Sequence, residues 1–116
     1  MQLLDQGRIY SKTNLFKGHG TVHIKDLLGA QVSAFQAVLA CVLDPQASVG
    51  THLQTDADEV IIIHQGHGQA YINQKSYPLE AGVVLHVKQG QTLSLHNHST
   101  SDSLHYHIIK TRASNP

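Results

Sequence analysis

The 116-residue chain has no tryptophan, two phenylalanines and four tyrosines, too few rings to form a stacking platform for single-stranded nucleic acid. Its single cysteine, Cys41, can close no intrachain disulfide. It lies in the apolar run 37–43, where a small buried hydrophobe in a reduced, cytoplasmic setting is expected. Charge is scarce: charged residues are 14% of the chain, and 8 Lys and Arg balance 8 Asp and Glu, against roughly 25% charged residues in an average globular protein. With no basic block, neither a phosphate backbone nor an anionic membrane surface is an expected partner. No apolar run nears the ~18 residues of a membrane span, and residues 1–8 lack a basic region leading into an apolar one, so no secretory signal is expected. There is no Gly-x-Ser-x-Gly elbow and no glycine-rich phosphate loop opening onto a helix. Cys41 also lacks the electropositive surroundings that activate a thiolate.

What the chain has instead is histidine, ten residues against eight Lys and Arg. It also has short apolar runs punctuated by turn residues. The β-branched run 60–63 ends at Gly66-His67-Gly68; residues 70–72 resume it and break at Asn73-Gln74. Residues 83–87 lie between Gly82 and Gly90, residues 93–96 alternate, 99–103 form a polar turn, and 104–108 alternate again. This spacing predicts an all-β domain of roughly eight to eleven short strands, sandwich or barrel. Residues 32–43 also suit a helical stripe through Val32, Phe35, Leu39 and Val42. The strand reading is preferred because Phe35, Ala37, Leu39, Cys41 and Leu43 make one inward face at period two, closed by the Asp44-Pro45 turn. The first ~20 residues read as an arm or edge strand packing against a second subunit.

The stretch 44–66 carries the chemistry. His52 and Gln54 are two apart and share a face on a strand, and Glu59, after a short turn, can swing onto that face from the next strand. Imidazole, amide and carboxylate can then converge, a set able to hold a borderline divalent metal.

These residues resemble the cupin superfamily. Its first motif runs Pro-Gly, several residues, His-x-His, a short gap, Glu, then six residues to Gly, and Pro45, His52, Glu59 and Gly66 fall on it in order. Its second is matched by residues 77–87, Gly90 and Asn97, so that the likeness covers roughly 34–110. The resemblance implies a double-stranded β-helix, a jelly-roll barrel, over 34–116, preceded by an arm and edge strands over 1–33, one structural domain in all. It also implies a dimer and a site in the barrel mouth. Of the metal-binding pattern of three His and one Glu, His52 and Glu59 stand unchanged; Gln54 replaces the second His and Leu93 the third, and Val83 stands where an Asp is usual. Losing an imidazole to leucine removes a ligand and makes that wall apolar. The metal candidates are therefore His52, Glu59 and Gln54, with His86, on the preceding strand, as a replacement ligand. His96 and His98 differ in parity from Leu93 and face the other side unless a bulge intervenes. For His52 and Glu59 a second reading stays open: a buried, hydrogen-bonded polar pair.

A second histidine set arises if 93–98 and 104–107 form a hairpin about 99–103. Pairing His98 with His105 then sets His96 opposite His107, with all four imidazoles on one face. Such a patch could capture metal or sense pH, but it holds no carboxylate, and a solvated or dimer-facing sheet surface is the preferred reading. His64 and His67 bracket a glycine turn and are expected at the surface.

The leading functional expectation is a small-molecule-binding or regulatory module whose cavity is lined by His52, Gln54, Glu59, Leu93, Leu95 and Phe35. Its cofactor is none or a weakly bound divalent metal (Zn, Ni, Fe or Mn). The alternative is a metal-dependent oxygenase, isomerase or decarboxylase using His52 and Glu59. A homodimer is expected because exposed edge strands need cover and few charges guard them.

Overall fold

A computed structural model describes residues 8–28 and 34–111. Those residues form β1 (Ile9–Thr13), a 3-10 turn (Leu15–Lys17), β2 (Thr21–Asp26), β3 (Phe35–Leu43), β4 (Ser48–Leu53) and β5 (Glu59–Gln65). The chain continues through β6 (Gly68–Ile72), β7 (Lys75–Leu79), β8 (Val84–Val87), β9 (Thr92–His96) and β10 (Leu104–Thr111). All pairings are antiparallel. The strands divide into a six-stranded sheet, β1-β2-β3-β10-β5-β8, and a four-stranded sheet, β4-β9-β6-β7, which face each other as a jelly-roll sandwich.

The alternation of the sequence explains which faces meet. On β5, Glu59, Ile61 and Ile63 are buried while Val60 and Ile62 are half-buried; on β9, Leu93 and Leu95 are buried, and on β10 so are Leu104 and Tyr106. With Val22, Leu43, Val49, Ala70, Leu79 and Val87 they make one contiguous core, the two-layer burial that a sheet with one apolar face requires. β3 is a strand along its whole described length, with Cys41 and Leu43 buried; Val32 lies outside the described residues, as do residues 1–7. From Ile9 to Thr13 the N-terminal segment is an edge strand, β1, paired residue for residue with β2 from Ile9↔Lys25 to Thr13↔Thr21.

Two irregularities position side chains that plain alternation would send elsewhere. β4 pairs with β9 as Val49↔Leu95 and then His52↔Leu93, so one extra residue is accommodated on β4 and Val49 and His52 both turn inward despite their opposite parity. Beside it, the 3-10 turn lies on β4 at Gly50, where a Cβ would stand 1.9 Å from the Phe16 carbonyl oxygen. Only glycine permits that approach. Docking the turn holds Phe16 at φ 53°, a left-handed conformation that costs a bulky residue roughly 1–3 kcal/mol.

Candidate functional site

Between the sheets, toward the Phe16 end, is a hollow of about 320 Å³. β4 and the segment after it contribute His52, Leu53, Gln54 and Thr55, and β5 contributes Glu59. β9 contributes Leu93 and Leu95, β3 contributes Ala37, Leu39 and Cys41, and β10 contributes Tyr106, Ile108 and Lys110. Phe16 closes one side: its ring stacks on the imidazole of His52 with centroids 4.0 Å apart and planes at 14°.

The polar end of the hollow is a hydrogen-bonded row. Gln54, 2% exposed, donates from Nε2 to Glu59 Oε2 at 2.5 Å. Its backbone is clamped by Gln54 N–H to the Gln91 carbonyl and by Gly90 N–H to the Gln54 carbonyl. His52 Nδ1 lies 2.9 Å from the Gly50 carbonyl. A carbonyl only accepts, so Nδ1 donates, and the tautomer this contact selects has its lone pair on Nε2. By the same logic Gln54, having turned its amide hydrogens to Glu59, presents its oxygen.

Burial pushes the Glu59 carboxyl above its ordinary value, partly offset by the Gln54 hydrogen bond, by Lys110 and by His52. Taking a carboxylate out of water disfavours its charged form. The neighbouring Cys41 thiol is pushed up to about 12, by burial first and Glu59 second, with the Tyr106 hydrogen bond opposing. Burial also raises the Tyr106 phenol well above its usual value. A thiol so held is inert as a nucleophile.

The structure thus gathers His52, Gln54, Glu59, Leu93 and Leu95 around one hollow, with Leu93 directly opposite His52. Two expected members stand elsewhere. Phe35 is 37% exposed: the β3–β10 register slips between Lys110↔Ala37 and Thr111↔Phe35, so the inward series stops at Ala37. His86 is outside because Leu85 and Val87 are the inward residues of β8; its Nε2 lies 2.8 Å from Asp58 Oδ2 on the exposed side. The 96/98/105/107 histidine face is not formed either. β9 pairs with β4 and β6, whereas β10 pairs with β3 and β5 in the other sheet, so the polar turn is a crossover between layers. His96 and His98 stack on each other, centroids 5.7 Å apart, and His107 meets His64 instead.

Residues that sequence reading missed include Lys110 and Ile108, which the alternation of β10 extends inward from Tyr106. The cap Phe16 is another; its position depends on a positive-φ turn that left no pattern in the sequence. Asn97, noted as part of the second motif, is 1% exposed. Its Nδ2 reaches the carbonyls of Leu43, Asp44 and Asp102, and its Oδ1 accepts from Ser99 N–H, tying the crossover to the end of β3.

The donor set does not fit a tight metal centre. It offers one imidazole, a carboxylate already bonded to an amide, and leucine beside the imidazole on the neighbouring strand. Among the described residues no three His, Cys, Asp or Glu side chains form a group able to hold a metal ion.

The cupin-domain family model matches residues 40–109, more than half of the chain, and the protein belongs to that family. A solved structure described as a predicted oxalate decarboxylase from Thermotoga maritima superposes with a TM-score of 0.86 at 24% identity, covering 97% of this chain and 99% of that one. A cupin 2 conserved barrel domain protein from Rhodopseudomonas palustris gives 0.74 at 12% identity, covering 97% and 76%. At these identities the likeness is one of fold. A search of curated proteins found no match. No helix among the described residues is long and apolar enough to cross a membrane.

Proposed function

We propose that this cupin is a small-molecule-binding or regulatory module whose hollow takes a compact organic molecule with an apolar body and one or two hydroxyl groups. The observation that carries this reading is Leu93, paired with His52 on the neighbouring strand and lining the same hollow beside it. Aliphatic carbon stands where the metal-binding pattern of the family would need nitrogen. The volume lies near the lower end of the ~300–1,000 Å³ usual for ligand pockets, and an apolar wall with a few convergent polar groups is their usual composition. Chemistry narrows the ligand class further. His52 Nε2, the Gln54 oxygen and Glu59, when ionised, all accept, so a hydrogen-bond donor such as a phenol or alcohol is the complement of this polar row.

A thermal-shift screen of phenols, alcohols, sugars and small acids tests this, since a ligand bound only by the folded state adds about 2.7 kcal/mol at a hundred times its Kd. The expected result is a raised Tm with a phenol or alcohol that disappears in Leu93→Asp and His52→Ala. Elemental analysis finding near one metal ion per chain, lost on His52→Ala, would replace this reading with the metal-dependent enzyme.

A further inference from the structure

Outside the sandwich, the outer face of the six-stranded sheet carries a second convergence that the hollow does not use. Along β5 and β10 the pairing runs Ile62↔His107 and Ile63↔Tyr106, then jumps to Gln65↔His105. His64 is the extra residue, and a bulge of this kind re-aims the side chain it frees. Here it leans the imidazole of His64 across onto β10. His64 Nε2 and His107 Nδ1 face each other within hydrogen-bonding reach, with ring centroids 4.4 Å apart and planes at 88°. The pair sits in a shallow depression with Ala40 and Val42 on its floor and His23, Lys25 and His105 around it.

No carboxylate lines this depression, so hard, oxygen-seeking cations find no anionic ligand there. Two imidazole nitrogens aimed at one point are what a borderline late transition metal takes. Two Zn–N bonds of ~2.0–2.1 Å at a tetrahedral angle put the nitrogens roughly 3.3 Å apart, which small rotations of the exposed His64 ring can reach. The proton now between the rings can move to the far nitrogen of its own ring, so both lone pairs become available without net ionisation.

We propose that His64 and His107 form a surface two-histidine site for a late first-row divalent ion, Cu²⁺ or Ni²⁺ ahead of Zn²⁺, with water completing the shell. The site is independent of the barrel interior and of whatever the hollow binds.

The test is calorimetric titration of the untagged chain with Cu²⁺, Ni²⁺ and Zn²⁺ alone, with Mg²⁺ as the contrasting ion. About one transition-metal ion per chain is expected, with affinity falling at least tenfold in His64→Ala and in His107→Ala, unchanged in His98→Ala, and no Mg²⁺ binding. His64 is exposed at a strand end, so its variant stays informative if His107→Ala fails to fold. In parallel, imidazole NMR signals of His64 and His107 should be the first to shift with diamagnetic Zn²⁺. No binding of any of the three ions, or binding that survives both substitutions, would overturn the proposal.

Discussion

The inside and the outside of this sandwich use histidine in opposite ways. Of the ten histidines, His52 lines the hollow, half-buried, with its Nδ1 tied to the Gly50 carbonyl and its ring covered by Phe16. The others stand outside, where His64 meets His107, His96 stacks on His98, and His23 and His86 pair with Asp44 and Asp58. A histidine-rich composition invites a histidine-rich interior, yet parity, bulges and turns together place these rings outside and leave the interior to leucine. The titrations diverge likewise: burial raises Glu59 inside and lowers His96 outside. In each case the neutral form is favoured.

Leucine at the centre of the interior should dominate stability. Leu93→Ala is expected to cost about 2–5 kcal/mol in denaturant unfolding, the range for truncating a buried leucine, whereas His86→Ala on the outer side should stay within about 0.5 kcal/mol. Equal costs would erase the distinction between the two sides. Phe16→Ala should cost about 1 kcal/mol for the lost ring stacking and speed ligand exchange in stopped-flow measurements, because the cap over His52 is removed.

The pH dependence sharpens the comparison further. Glu59 has a folded-state value above its usual 4.5, so its contribution is fully present below that value and is lost as pH rises through the folded one. Chemical unfolding across pH 4 to 7 should therefore show a decline for the native chain that Glu59→Gln lacks. His96 is depressed below its usual 6.5, by burial first and His98 second. Its contribution is present above 6.5 and lost as pH falls through the folded value. His96→Gln should flatten that acid limb, by less than Glu59→Gln flattens the other, since His96 is the more exposed group.

Local pattern made much of this legible. Period-two alternation marked β3 as a strand and aimed His52, Gln54, Glu59, Leu93 and Leu95 at a common space, because the side-chain direction of a regular strand follows from parity alone. Non-local choices were hidden. Whether the turn 99–103 is a hairpin or a crossover depends on which sheet each flanking strand joins, and that is decided by partners more than 30 residues away, such as Cys41↔Tyr106 and Ile63↔Tyr106. Bulges were equally invisible: the slip at Lys110/Thr111 removed Phe35 from the cavity and the slip at His105/Tyr106 delivered His64 to His107. Phe16 reached His52 through a left-handed turn seated on Gly50, a contact set by backbone fit, with no hydrophobic period to announce it.

Elemental analysis of the untagged chain, purified without chelator and compared with His52→Ala and His64→Ala, addresses the hollow most directly. The metal content should be well below one ion per chain, whatever is present should vanish with His64→Ala, and His52→Ala should leave it unchanged. A full equivalent of metal that disappears when His52 is replaced would show that the barrel interior is a metal centre after all.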